Sequence, residues 1–267
     1  MNVLITGASS GIGAALAEEG AAHGVANLFI CGRDAARLEA VADACRARGL
    51  RVVTRVLDVA DADAVRAWME ACDADAPLDV VFSNAGVGTG RENAANVRRT
   101  FATNVDGTLN VVLTALDLFR APQPRRRKQI VITASIAGYA PLATCPSYAA
   151  TKACVKTWGL SLRAALKREG IRVNVVCPGF VRSRITDANT CPMPFFMEAD
   201  KAAKIIWRRV MRDVGLIAFP WPMRLVVWGL SILPWRVAEW VAGLLPEKNA
   251  ENRSSGSVAV PPVEGRG

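Results

Sequence analysis

Histidine is almost absent: His23 is the only one in 267 residues. A Ser-His-Asp hydrolase would have to use it, and its place near the end of the first predicted helix suits a surface position better. The seven cysteines, Cys31, Cys45, Cys72, Cys145, Cys154, Cys177 and Cys191, form no C-x-x-C and no metal-ligand spacing. No metal is expected, and a reduced, cytoplasmic chain follows. No signal peptide precedes the first predicted strand, Val3-Leu4-Ile5. The apolar helical run within Trp221–Trp235 covers about ten residues, roughly half of the ~20 needed to span a bilayer, so it should not cross one. Basicity is plentiful, with net charge +9 and pI about 9.6, yet no recognition motif accompanies it and no nucleic-acid partner is expected. The one dense run, Arg125-Arg126-Arg127-Lys128, is expected to be a solvated loop at the far edge of the sheet from the site.

With 51% hydrophobic residues the chain can bury a sizeable core as one domain. Short apolar runs at Leu28–Cys31, Val52–Leu57, Val80–Ser83, Ile130–Ala134 and Val173–Val176 alternate with helical stretches, the pattern of an α/β fold with a doubly wound parallel sheet. Between the first strand and first helix lies Thr6-Gly7-Ala8-Ser9-Ser10-Gly11-Ile12-Gly13. Glycines there let a backbone approach a pyrophosphate while the helix N-terminus offers free N–H groups and a favourable dipole. The spacing departs from the commonest dinucleotide fingerprint, Gly-x-Gly-x-x-Gly.

Ser135 closes the strand over 129–134, where ligand crevices of open α/β sheets lie. Tyr148 and Lys152, four apart, share one helix face, and an ammonium near a phenol favours the phenolate. A helix expected over about 96–119 buries Val97, Phe101, Val105, Leu109, Val112 and Leu116, with Asn104 on the same face. A buried amide needs partners, and a structural and a functional Asn104 stand side by side at this point.

The set formed by the glycine turn, Asn84-Ala85-Gly86, Asn104, Ser135, Tyr148-x-x-x-Lys152 and Pro178-Gly179 resembles the classical short-chain dehydrogenases/reductases (SDR) over about residues 1–220. The resemblance implies a Rossmann-type domain and hydride transfer between a nicotinamide cofactor and an alcohol or carbonyl. It implies Tyr148 as proton donor or base, Ser135 on the substrate oxygen, Lys152 on the nicotinamide ribose and Asn104 in a water relay. It further implies Gly7, Ser9, Ser10, Gly11, Ile12 and Gly13 at the pyrophosphate, Asp58 and Val59 at the adenine, and Asn84, Ala85 and Gly86 at the ribose. Pro178, Gly179, Val181 and Ser183 would lie by the nicotinamide, Ser183 standing where the family usually has threonine. A catalytically silent, nucleotide-binding regulator of the same fold is the alternative.

At the end of the second strand, Cys31-Gly32-Arg33-Asp34 puts glycine in the place of the usual acid and Arg33 after it, favouring NADP(H); Asp34 keeps NAD(H) possible. Loop residues Tyr139, Pro141, Leu142, Phe180, Met193, Phe195, Phe196 and Met197 suggest an apolar pocket and a lipid-like or steroid-like carbonyl or alcohol substrate. Residues 221–248 form an apolar helical extension, with a second stripe at Val237, Trp240, Val241, Leu244 and Leu245, and 249–267 a disordered tail. Tryptophans flanked by arginine suggest peripheral attachment through 221–245 to the cytoplasmic face of a membrane. Closure of a homo-oligomer is the rival account.

Overall fold

Apolar residues on both faces of a strand require cover on both sides, and the short runs of Val, Ile and Leu meet that requirement in a seven-stranded, wholly parallel sheet. In the computed structural model, residues 1–125, 127–187, 193–234 and 236–237 are described. The chain runs β1 (Asn2–Thr6), α1 (Gly11–Glu19), β2 (Asn27–Gly32), α2 (Ala35–Arg46), β3 (Arg51–Val56), α3 (Ala62–Asp75), β4 (Val80–Ser83), α4 (Ala94–Phe101) and α5 (Gly107–Arg120). It continues with β5 (Gln129–Thr133), α6 (Pro146–Ala165), β6 (Arg172–Pro178), α7 (Arg184–Asp187), α8 (Ala199–Met211), β7 (Leu216–Phe219) and α9 (Trp221–Ile232). The strand order is β3-β2-β1-β4-β5-β6-β7. The order reverses between β1 and β4, so a crevice opens at the carboxyl ends of those two strands.

Side-chain alternation divides the core. Leu4, Phe29 and Val81 point to the face covered by α3, α5 and α6, while Val3, Ile5 and Leu28 point to the face covered by α1, α2 and α8. On the second face Trp207 is fully buried, donates its indole N–H to the Leu16 carbonyl at 2.9 Å, and stacks at 5.0 Å on His23. The histidine is therefore half-covered packing rather than a free surface group.

Two further expectations fail. The helix expected over 96–119 is interrupted by a π-helical turn at Ala102–Asp106, and its inner side carries Thr100, Thr103, Asn104, Gly107, Thr108 and Val111. Val112 and Leu116 are buried as expected, but Phe101 is 40% exposed and Val97, Val105 and Leu109 are half-buried. Small residues face inward because α5 packs tightly: a Cβ at Gly107 would stand 2.5 Å from Val59 Cγ2.

Arg125, at the head of the basic run before β5, is not a solvated side chain either. The side chain of Arg125 is fully buried and grips the Asp73 carboxylate with both terminal nitrogens, the Nη2–Oδ2 contact being 2.8 Å. It also donates to the Leu78 and Leu118 carbonyls, tying α3, the approach to β4, and α5 together. Removing one partner of such a pair strands a buried charge, at about 3–5 kcal/mol. Asp73→Ala is expected to lose that much stability in urea unfolding, and Asp73→Leu with Arg125→Met to recover most of it. A single-variant loss below about 1 kcal/mol would contradict the role given to this pair.

Candidate active site

At its glycines the turn meets its neighbours with backbone alone. Gly7 and Gly11 take left-handed conformations, φ +68° and +57°, which favour residues without a Cβ. A Cβ at Gly13 would stand 2.3 Å from the Gly7 carbonyl oxygen, and one at Gly7 2.7 Å from Ala85 Cα. The N-cap residue of α1, Ser10, makes no side-chain capping hydrogen bond, leaving the first N–H groups of the helix to whatever lies beyond. Thr6 stitches the strand ends together: its hydroxyl accepts from the Asn84 and Ala85 amides, both at 3.1 Å, and donates to the Phe82 carbonyl. Thr133 donates to Asn84 Oδ1 at 3.2 Å, extending the stitch to β5.

A cavity of about 680 Å³ runs along these strand ends. Gly7, Ser9, Ser10, Gly11, Ile12, Gly13, Arg33, Asp58, Val59, Asn84, Ala85, Gly86, Ser135, Tyr148, Lys152, Pro178, Gly179, Val181 and Ser183 all line it. Arg182 and Ser183 lie against the glycine turn, since a Cβ on Gly11 would meet Ser183 Cβ at 2.9 Å and the Arg182 carbonyl oxygen at 3.5 Å. Asn104 is the one candidate set back from the cavity. Its Oδ1 accepts from the Val87 N–H at 2.8 Å, and its Nδ2 donates to the Val87 carbonyl and to Thr151 Oγ1. Its amide is thus fully engaged in holding the Val87 segment, with Gly86 between it and Lys152.

At the inner end, Lys152 donates to the Thr133 carbonyl at 2.9 Å and lies 5.8 Å from the centre of the Tyr148 ring. Burial pushes the Tyr148 phenol up to about 12, the Ser135 hydroxyl beside it pulling the other way, so the phenol is protonated at neutral pH. Burial brings the Lys152 ammonium down to about 8. Ser135 itself accepts from the Ala137 N–H and donates to the Pro178 carbonyl at 3.5 Å, a long contact.

Several contacts at the site had no sequence signal. Arg37 joins Arg33 and Asp34 in the cavity wall; Asp34 caps α2 by accepting from the Arg37 N–H at 3.0 Å and pairs with the Arg37 guanidinium at 2.6 Å. Arg33 stands 3.5 Å from Asp58. Glu92 accepts from both the N–H and the hydroxyl of Ser147, at 2.9 and 2.8 Å, and Thr89 meets the same hydroxyl at 2.7 Å, so the β4–α4 loop is clasped to α6 one residue before Tyr148. None of the eight apolar loop residues expected to form a pocket lines the cavity. Tyr139 packs against the core, Met197 forms an isolated parallel bridge with Val181, and Phe195 and Phe196 are exposed.

The fold and site define a nucleotide-binding α/β protein with a tyrosine–lysine–serine cluster, and comparison with known proteins agrees. Residues 1–192 match the family model for short chain dehydrogenases, and the chain belongs to that family. An uncharacterised oxidoreductase of Myxococcus xanthus is 39% identical over 240 residues, covering 86% of this chain and 92% of its own. Another from Mycobacterium tuberculosis is 32% identical, covering 85% and 93%. Among solved structures, a short chain dehydrogenase/reductase of Burkholderia phymatum in complex with NAD superposes with TM-score 0.76 at 25% identity, covering 84% of this chain and 90% of its own. A Sphingobium yanoikuyae short-chain dehydrogenase in complex with NADPH does so with TM-score 0.73 at 26% identity, covering 92% and 96%.

The Lys152 shift gives a test that needs no substrate. Its unfolded-state value is 10.5, so between pH 8 and 10.5 the unfolded chain holds the extra proton and stability must rise with pH. The stability of the wild-type chain relative to Lys152→Met is expected to increase by about 2 kcal/mol from pH 8 to 10, since the tyrosines and cysteines that also titrate there are present in both chains and cancel in the difference. A flat difference would show that the ammonium is not desolvated.

Proposed function

We propose that this chain is an NADP(H)-dependent oxidoreductase interconverting a carbonyl and an alcohol on an apolar small molecule. The observation that carries this is the convergence of Tyr148, Lys152 and Ser135 at one end of a cavity whose other parts are the glycine turn and the free N-terminus of α1. The pyrophosphate of a dinucleotide suits that turn, where no side chain fits. A nicotinamide cofactor supplies or accepts the hydride. Tyr148 Oη gives a proton to the nascent alkoxide in reduction and takes one from the alcohol in oxidation, and Ser135 Oγ donates a hydrogen bond to the oxygen where charge develops. The Lys152 ammonium, held by the Thr133 carbonyl, lies close enough to stabilise phenolate and to take a ribose hydroxyl. Asn104, by fixing Val87 behind Gly86, shapes the space through which a water relay to Lys152 would run. With Tyr148, Lys152 and Ser135 at one end of the cavity, the silent regulator gains no support.

The preference for NADP(H) rests on Arg33 and Arg37 together. Asp34 is held by the α2 cap and by Arg37, which draws its carboxylate away from a ribose 2′-hydroxyl, while two guanidiniums border the place a 2′-phosphate would take. The apolar substrate class rests on Val87 and Ile185 in the cavity wall and on α9 beside it, since Met223 Sδ lies 3.2 Å from the position of a Cβ on Gly179. A homo-oligomer in the cytoplasm belongs to the same reading, supported by the exposed Phe101 and Leu113 on α4 and α5. Peripheral membrane attachment also belongs to it; Trp240, Val241, Leu244 and Leu245 of the second stripe lie outside the described residues, and Val237 is exposed.

NADPH consumption with aldehydes and ketones of increasing chain length tests the reaction and the substrate class at once; preference for short, hydroxylated carbonyls would overturn the apolar class. For the cofactor, the kcat/KM ratio for NADPH over NADH is expected to fall roughly tenfold or more in Arg33→Ala with Arg37→Ala, the loss of charge-assisted contacts to a phosphate. An unchanged ratio would assign these arginines to solvent.

A further inference from the structure

α9 is apolar on two opposite faces, and the body of the protein covers one of them. Met223 and Val227 pack against the core, and the helix also abuts the turn Ile136–Gly138 that follows Ser135. At 3.6 residues per turn, Trp221, Leu225, Trp228 and Ile232 fall on a single stripe on the far side. These four are between 53% and 71% exposed, and Val226 and Leu233 extend the patch. A soluble surface scatters such residues singly; a continuous stripe with two tryptophans calls for an occupant.

Charge selects the occupant. Between Asp213 and Glu239 the sequence carries two arginines, Arg224 and Arg236, and no carboxylate. Arg224 lies on α9 itself, flanking the exposed stripe, and pairs with no carboxylate among the described residues. A second copy of the chain, docking the same patch by two-fold symmetry, would bring arginine toward arginine with no acid on the segment to answer it. An anionic lipid surface answers both properties: tryptophan sits at the boundary of headgroups and acyl chains, and arginine pairs with phosphate. No helix among the described residues is long and apolar enough to cross a membrane. Twelve residues, about 18 Å of helix, suit a helix lying in the interface plane.

We infer that the exposed face of α9 docks the protein on an anionic bilayer surface, with the wall of the cavity at Gly179 beside the docked helix. This deepens the reading above by naming the partner of the segment that borders the site. An apolar carbonyl compound dissolved in the leaflet would then reach the cavity without passing through bulk water.

The test is sedimentation of the full chain with vesicles of phosphatidylcholine alone or mixed with phosphatidylglycerol, at low and high salt and with no redox substrate, so that its failure is separate from failure of the oxidoreductase reading. The chain is expected to pellet with the mixed vesicles, far less with the neutral ones, and less at high salt. Leu225→Glu with Trp228→Glu should lower the bound fraction roughly tenfold at equal lipid, and Arg224→Glu should lower it in the same direction, with unchanged thermal unfolding as the control for folding. Quenching of tryptophan fluorescence of the unaltered chain by brominated lipid reads the same contact without any substitution. A chain that stays in the supernatant and unquenched with anionic vesicles overturns the inference. So does an oligomer that ignores vesicles and dissociates when Leu225 and Trp228 are replaced, which would assign the face to a second copy.

Discussion

A Cβ at Gly13 would stand 2.3 Å from the Gly7 carbonyl oxygen, and its nearest side-chain neighbour would be Asn84 Nδ2 at 2.6 Å. That backbone-to-backbone approach lets α1 start directly over the ends of β1 and β4, so the helix N-terminus, the reversal of strand order and the cavity coincide. The rest of the site is hung from the same point. Thr6 fixes the Asn84 segment, Asn84 accepts from Thr133, and the Thr133 carbonyl holds the Lys152 ammonium. A shift in the glycine turn would therefore propagate along three strands to the tyrosine–lysine pair.

Burial shapes the chemistry available at the inner end. A phenol pushed up to about 12 is a proton donor held in its acidic form, and an ammonium brought down to about 8 stands close enough to ease the proton's departure. The Glu92–Ser147–Thr89 clasp adds a mechanical element, because it anchors the start of α6 next to Tyr148 and holds the loop that carries Gly88 and Gly90 in the cavity wall.

The sheet was legible because parallel strands buried on both faces are runs of Val, Ile and Leu that differ plainly from the helices between them; the run expected at Val80–Ser83 has the bounds of β4. The lining of the cavity was legible because glycine where a backbone must approach closely, and polar groups at strand ends, are local signals. What escaped depends on distant pairing. Arg125 sits in a run of charge that looks solvated, and only the fold brings Asp73, 52 residues away, against it. The Glu92 contact spans 55 residues. The inward face of α4 and α5 was misjudged because close packing there selects threonine and glycine over larger apolar residues, and the π-helical turn shifts the phase at Asn104. The apolar loop residues looked like a pocket by composition, yet Tyr139 and Met197 turned to the protein's own packing.

The central claim is that Tyr148 exchanges a proton with the substrate oxygen while the rest of the cavity holds the cofactor. Its most direct measurement is the Tyr148→Phe chain, assayed both for NADPH binding by fluorescence and for carbonyl-dependent NADPH oxidation. Loss of general acid–base catalysis predicts binding close to wild type with turnover lower by about 10²–10⁴-fold. Wild-type turnover in that variant would contradict the account.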